Sequence, residues 1–185
     1  MPDDVQNIPH PIIGYMGTIN STRLDGELLY QIISQRPDYS FVFTGPEDDI
    51  FRRNRIHSLK NAYFTGQKKV DELPAYIAAY DVCINPQMVN EITDGNYPLK
   101  IDEYLAMGKP TVATSTHTMR NIFAGHTHLA INPEEWLAAI DRAVTEADDK
   151  ELAKQRIAFA ETHSWGHSVK KIYEIIDSFL KKKTT

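Results

Sequence analysis

The 185-residue chain contains a single cysteine, Cys83, so no intrachain disulfide can form. That suits a reducing compartment, and a cytoplasmic location is the expectation. No apolar run approaches the roughly 20 residues that span a bilayer. The opening residues, Met1-Pro2-Asp3-Asp4-Val5-Gln6, are acidic and lack the apolar stretch of a secretory signal. Positive charge is not in excess: 20 Lys and Arg stand against 25 Asp and Glu, for a net charge of -5. Generic nucleic-acid binding runs on phosphate neutralisation, so a nucleic-acid partner is not expected. The one cationic run, Lys181-Lys182-Lys183, reads as a helix end, where cations suit the dipole. With nine Gly, ten Pro and 42% hydrophobic residues, the composition is that of a globular chain. At about 150 residues per domain, residues 1–185 make one domain.

Familiar catalytic signatures are absent as well. Gly14 and Gly17 are three apart, with Gly14 inside an apolar run, so there is no G-x-G-x-x-G; nor is there a G-x-x-x-x-G-K-[ST]. A dinucleotide fingerprint and a P-loop are thereby excluded. No G-x-S-x-G nucleophile elbow occurs. His126 with His128, and His163 with His167, are spaced to share a face, but no Cys or carboxylate stands at ligand spacing and H-E-x-x-H is missing, so no metal site is expected. Cys83, inside an apolar run, reads as a small buried hydrophobe.

What is present is alternation. Short apolar runs at Ile12 to Gly17, Phe41 to Phe43, Ala62 to Phe64, Val82 to Ile84, Thr111 to Thr114 and Leu129 to Ile131 read as strands. Leu24 to Arg36, Asp71 to Tyr80, Pro98 to Met107, Pro133 to Thr145, Lys150 to Thr162 and Trp165 to Lys182 read as helices. Strands that alternate with helices, and are apolar throughout, predict an α/β fold. The expected form is a Rossmann-like, doubly wound parallel sheet of about six strands with helices on both faces. Ligands bind such sheets outside the carboxyl ends of the strands. Gly17, Gly45, Gly66, Pro86 and Ser115 mark those ends.

Two of the loops carry chemistry. Gly17 and Thr18 lead through small polar residues to Arg23, a setting in which backbone N–H groups and a cation can hold a phosphate. The second runs from Asn90 to Pro110. There a polar loop with Asp94, Gly95 and Asn96 enters a helix at Pro98, and the helix then presents Lys100 and Glu103 on one face. Amides at a helix start suit an anion, and a carboxylate one turn further in suits a pair of hydroxyls.

The run Glu103-Tyr104-Leu105-Ala106-Met107-Gly108-Lys109-Pro110-Thr111-Val112-Ala113 resembles the donor-binding segment of group 1, or family 4, glycosyltransferases of the GT-B fold. Tyr15-Met16-Gly17-Thr18, Phe41-Val42-Phe43-Thr44-Gly45-Pro46, Phe64-Thr65-Gly66, Asp81-Val82-Cys83-Ile84-Asn85-Pro86 and Ser164-Trp165 resemble its other segments in the same order. The resemblance covers nearly the whole chain but corresponds to the C-terminal half of a full enzyme. It implies a donor-binding domain whose partner, an N-terminal acceptor-binding domain, lies outside this chain.

By the same resemblance the ligand is a nucleoside-diphosphate sugar, bound without an essential metal or other cofactor, and the full enzyme is a retaining hexosyltransferase. Its acceptor is a polysaccharide, a lipid or another molecule, and peripheral association of the full enzyme with a membrane is compatible with it. Glu103 matches the carboxylate that grips the donor ribose. Arg23 falls near the family's phosphate-binding Lys. The family's usual Arg after the first glycine is Thr18 here, and Lys100 is the candidate substitute. These two cations, Arg23 and Lys100, are the expected catalytic pair. A second Glu, eight positions before the first in many members, is replaced by Gly95, leaving Asp94, Gly95 and Asn96 as candidates for the sugar. Gly66 opens the loop where the family holds the nucleobase. Two other readings stay open: half of a UDP-sugar 2-epimerase, which shares the two-domain architecture, and a non-catalytic nucleotide-binding or scaffold domain.

Overall fold

The structure, a computed structural model, describes residues 1–183, with side chains through residue 180. The side chains of the Lys181-Lys182-Lys183 run thus lie outside the described residues. Six parallel strands form one sheet: β1 (Ile12–Met16), β2 (Ser40–Thr44), β3 (Ala62–Gly66), β4 (Val82–Asn85), β5 (Thr111–Thr114) and β6 (His128–Ala130). Their spatial order is β3-β2-β1-β4-β5-β6. β1, β2, β4 and β5 are buried along their whole length, because helices cover both faces.

Helices α1 (Gly26–Gln35) and α4 (Pro133–Thr145) cover one face. They bury Leu29, Ile32, Ile33, Trp136 and Ile140 against Ile13, Val82, Ile84 and Val112. Helices α2 (Leu73–Ala79), α3 (Leu99–Ala106) and α5 (Lys150–Glu161) cover the other. There Tyr76, Ile77, Ile101, Tyr104 and Leu105 pack on Ile12, Val42, Cys83 and Ala113. The final helix, α6 (Trp165–Lys183), stands apart from the sheet. Trp165, Val169, Ile172 and Ile176 follow helical spacing along it, yet are 86%, 45%, 56% and 46% exposed. No helix among the described residues is long and apolar enough to cross a membrane.

The differences from the sequence reading have local causes. Leu24 is taken by an antiparallel bridge to Gln87, so α1 starts only after Asp25, whose carboxylate caps it by accepting from Leu28 N–H at 2.9 Å. Pro98 caps α3 rather than occupying its first turn. The span read as a helix from Asp71 divides into a 3₁₀ turn, Val70–Glu72, and α2. Residues 47–60 carry two 3₁₀ turns, Phe51–Arg53 and Arg55–Ser58. A π-helical turn, Met119–Phe123, lies between β5 and β6. His126 precedes β6 and stacks on Phe159 with 3.8 Å between centroids, so it shares no strand face with His128.

α3 is fixed to β1 by one side chain. The buried hydroxyl of Tyr104 accepts from Met16 N–H at 2.8 Å and donates to Met16 C=O at 3.3 Å. Tyr104→Phe removes both partners from the backbone at the end of β1. The expected cost is about 1–3 kcal/mol, read as a lower denaturant midpoint with an unchanged slope. An unchanged midpoint would show that α3 is held on β1 by packing alone.

Candidate functional site

The strand order reverses between β1 and β4: the chain runs outward from β1 to β2 and β3, then returns to β4. This is the switch point at which open α/β sheets hold ligands. A cleft of about 670 Å³ opens there. Gly17, Thr18, Asn20 and Arg23 line it from the loop after β1, Gln87 from the loop after β4, and Asn96, Tyr97, Pro98 and Lys100 from the entry to α3.

The two loops are stitched to each other. Met88 N–H donates to Arg23 C=O at 2.8 Å, and Asp25 N–H donates to Pro86 C=O at 3.1 Å. These bonds set the base of Arg23 at the cleft mouth. The turn after β1 depends on glycine for its backbone: Gly17 has φ +135°, which L side chains rarely adopt, and a Cβ there would also crowd Lys100 Nζ at 2.8 Å. Gly17 N–H donates to Thr44 C=O at 2.9 Å, which holds the turn against the end of β2.

Lys100 is the central cation. Its Nζ donates to the Tyr15 hydroxyl at 2.6 Å and lies 4.1 Å from the centre of the Tyr15 ring. The same hydroxyl donates to Thr18 C=O at 3.0 Å. Burial lowers the Lys100 pKa to about 8; Glu103 pulls it upward, and Arg23 adds to the depression. Burial raises the Tyr15 pKa, so the phenol stays a neutral donor. Neither Lys100 nor Arg23 has a carboxylate in ion-pair contact among the described residues. Arg23 and Lys100 bring two positive charges to the cleft, while Glu103, one turn further along α3, is close enough to pull the Lys100 pKa upward. Leu99 and Lys100, in the first turn of α3, add N–H groups that no carbonyl of the helix can take. The cleft thus gathers two cationic side chains and the first-turn N–H groups of α3.

The structure therefore brings five of the residues singled out from sequence into one cleft: Gly17, Thr18, Arg23, Asn96 and Lys100. Glu103 lies one turn beyond Lys100, exposed, beside a smaller apolar cleft with Met16, Leu73, Ile77 and Met107. No hydrogen bond or ion pair occupies its carboxylate among the described residues. Asp94 is engaged elsewhere: its carboxylate accepts from His117 N–H at 2.8 Å and its carbonyl from Thr118 N–H at 3.3 Å, so it anchors the loop to the turn after β5. Gly95 is exposed and does not line the cleft. Gly66, at φ +72°, closes β3 away from it. Lys109 is structural, donating to the carbonyls of Ala78 at 2.9 Å and Tyr80 at 2.6 Å at the end of α2.

Tyr15, Asn20, Gln87 and Tyr97 line the cleft but were not singled out from sequence. Tyr15 carries no signal of its own, since an aromatic in an apolar strand reads as core. Gln87, two residues past the end of β4, stood in a place where the strand-end rule could have found it. No group of three or more His, Cys, Asp or Glu residues placed to hold a metal occurs among the described residues.

The fold is a Rossmann-like sheet with a cleft lined by Arg23 and Lys100 at its switch point. Residues 10–146 match the family described as glycosyl transferases group 1, and the chain belongs to that family. It is 28% identical over 160 residues to a Bacillus subtilis (strain 168) protein named as the teichuronic acid biosynthesis glycosyltransferase TuaH; the match covers 83% of this chain and 40% of the relative. Among solved structures it resembles Anabaena Alr3699/HepE in complex with UDP, with TM-score 0.73 and 15% identity over 96% of this chain and 53% of that one. It also resembles sucrose-phosphate synthase from Thermosynechococcus elongatus, with TM-score 0.71 and 20% identity over 93% of this chain and 46% of that one. The chain thus spans about half the length of the proteins it matches, and those folds are GT-B glycosyltransferase folds.

Proposed function

We propose that this domain binds a nucleoside-diphosphate sugar and presents it for transfer, within a longer retaining glycosyltransferase. The observation that carries the reading is the convergence of Arg23 and Lys100, neither in ion-pair contact with a carboxylate among the described residues, on the first turn of α3 at the sheet's switch point. In this reading the diphosphate lies between the two cations and the free amides of Leu99 and Lys100. The cations stabilise the charge that develops on the leaving diphosphate as the glycosidic bond breaks, so the chemistry needs no metal or other cofactor. Thr18 and Asn20 offer polar groups at the same turn. Glu103 faces the ribose hydroxyls from the neighbouring smaller cleft, and that cleft's apolar wall of Met16, Leu73 and Ile77 suits the flat face of a base.

The sugar falls to the backbone of Gly95 and Asn96 and to Asp94, one carboxylate oxygen of which accepts from His117 N–H. Gly66 and the loop after it lie further toward the base. The acceptor, a polysaccharide, lipid or other molecule, is bound by an N-terminal domain outside this chain, and any membrane association belongs to that whole enzyme. The exposed apolar stripe of α6 is a surface such a domain would cover. The single buried thiol of Cys83 suits a cytoplasmic setting.

The ribose assignment has its own test. Glu103→Ala is expected to weaken UDP binding about tenfold, the worth of hydrogen bonds to a charged acceptor, and to leave a 2′,3′-dideoxy analogue of UDP unaffected. Equal losses for both ligands would place Glu103 somewhere other than on the ribose. The chain alone is expected to transfer no sugar from any nucleotide donor; turnover by residues 1–185 would contradict the division of labour described here.

A further inference from the structure

We propose that Asp102 and His163 are positioning residues for the wall of the anion cleft, acting on it through Tyr97. The inference rests on the donor-site reading for its consequence and on geometry for its mechanism. Tyr97 lies between two clefts. One face lines the anion cleft with Asn96, Pro98 and Lys100. On its other side lies a second cleft, lined by Asp102, His163 and Trp165. Asp102 and His163 do not line the anion cleft, so neither can touch its ligand there.

Three polar groups close a ring behind that wall. The Tyr97 hydroxyl donates to Asp102 Oδ2 at 2.5 Å, and Asp102 Oδ1 holds His163 Nδ1 at 2.8 Å. The Tyr97 oxygen and His163 Nδ1 are 3.3 Å apart. The side chains of Asp102 and His163 are 20% and 24% exposed, which shields the bond between them, while Tyr97 is 36% exposed. Aromatic edges fix the ring further. Phe123 lies 5.5 Å from Tyr97, and Phe159 meets His163 edge-on at 4.6 Å.

Upstream, Asp94 ties the loop to the turn after β5 through His117 and Thr118. Past it Gly95 and Asn96 are exposed, and Asn96 N–H donates to Thr93 C=O at 3.3 Å. Between Asn96 and the start of α3, the Tyr97 hydroxyl supplies a side-chain hydrogen bond to the body of the domain, beside the buried Pro98. Its partners come from α3 and from the junction of α5 with α6, about 60 residues on, so the cluster ties the wall to a distant part of the chain. Burial, reinforced by the Asp102 carboxylate, raises the Tyr97 pKa and keeps the phenol a donor. Releasing that hydroxyl frees the wall to move away from the diphosphate, and in the Asp102 variants it does so with every residue that lines the cleft unchanged.

The test uses Tyr97→Phe, Asp102→Ala and Asp102→Asn, with two readouts: hydrogen exchange of the Asn96 and Ile101 amides, and UDP affinity by calorimetry. Tyr97→Phe and Asp102→Ala should speed exchange at those amides and each weaken UDP about fivefold, and the double variant should lose little more than either alone. Asp102→Asn should restore both readouts, because its amide oxygen still accepts from Tyr97 and its NH₂ can donate to His163 Nδ1. Unchanged exchange in Tyr97→Phe overturns the proposal, whether or not UDP binds. Faster exchange with unchanged UDP affinity, in a parent chain that binds UDP, also overturns it. A parent chain that does not bind UDP defeats the donor reading instead, and the exchange result then decides by itself whether the cluster holds the wall.

Discussion

Lys100→Ala is expected to weaken the binding of a nucleoside diphosphate about 30-fold, the ~2 kcal/mol of a charge-assisted hydrogen bond in a partly buried site. The same residue gives the site a pH dependence with a definite sign. Burial lowers its pKa to about 8, so at pH 7 the ammonium is largely charged and the cleft is ready for an anion. As pH rises through 8 the empty cleft loses that charge. A bound diphosphate pulls the pKa back up, so binding above pH 8 takes up a proton, and affinity falls by as much as tenfold per pH unit. Lys100→Arg keeps its charge throughout and should flatten the profile between about pH 7 and pH 9. Calorimetric titrations at four pH values measure this. A wild-type affinity that stays level, or rises, above pH 8 would remove Lys100 from the phosphate.

The second large effect is on the scaffold of the cleft. Gly45 has φ +148°, and a Cβ built on it would stand 2.0 Å from Gly17 O and 2.7 Å from Gly17 C. Both atoms are backbone, so no rotamer relieves the clash; either β2 or the turn that carries Gly17 must move. Gly45→Ala is expected to cost about 3 kcal/mol or more, from overlap and a disfavoured φ together. For a domain of this size that lowers the melting temperature by about 6–12 °C. Nucleotide binding should fail as well, because Gly17 bears on Lys100. Gly95→Ala is the control: nothing lies within 4 Å of its Cβ and its φ is not positive, so the melting temperature should not move. Comparable losses in the two variants would show that the Gly45–Gly17 contact is not what shapes the turn.

The fold was largely legible because strand burial leaves a plain trace. Ile12-Ile13, Phe41-Val42-Phe43 and Val82-Cys83-Ile84 are apolar on both sides, since helices cover both faces of the sheet. Element ends were less legible, because tertiary contacts decide them. Leu24 has the right spacing for α1 but is taken by its bridge to Gln87. Met119–Phe123 is too short to show a period, and its helical start is helped by the Asp94 carboxylate on His117 N–H from a distant loop.

The site was legible to the extent that its residues are unusual for their positions. A lysine in the first turn of a helix next to buried strands, and a glycine ending the first strand, both pointed to the cleft. Asp94 shows where sequence alone stops: a carboxylate beside a glycine in a donor loop invites a ligand role, and only the fold shows the backbone amide that one of its oxygens serves. Tyr15 and Tyr97 were silent because an aromatic that binds and an aromatic that packs look alike in sequence. The role of Lys109 shows the converse. It belongs to the run that carries the resemblance, yet it secures the end of α2.

The most direct test of the central claim is calorimetric titration of the purified chain at pH 7 with UDP, GDP, ADP and CMP, with inorganic pyrophosphate as competitor. The account predicts one site per chain, tighter for a nucleoside diphosphate than for the monophosphate, and displaced by pyrophosphate through Arg23 and Lys100. A chain shown to be folded by circular dichroism that gives no heat with any of the four nucleotides would contradict it.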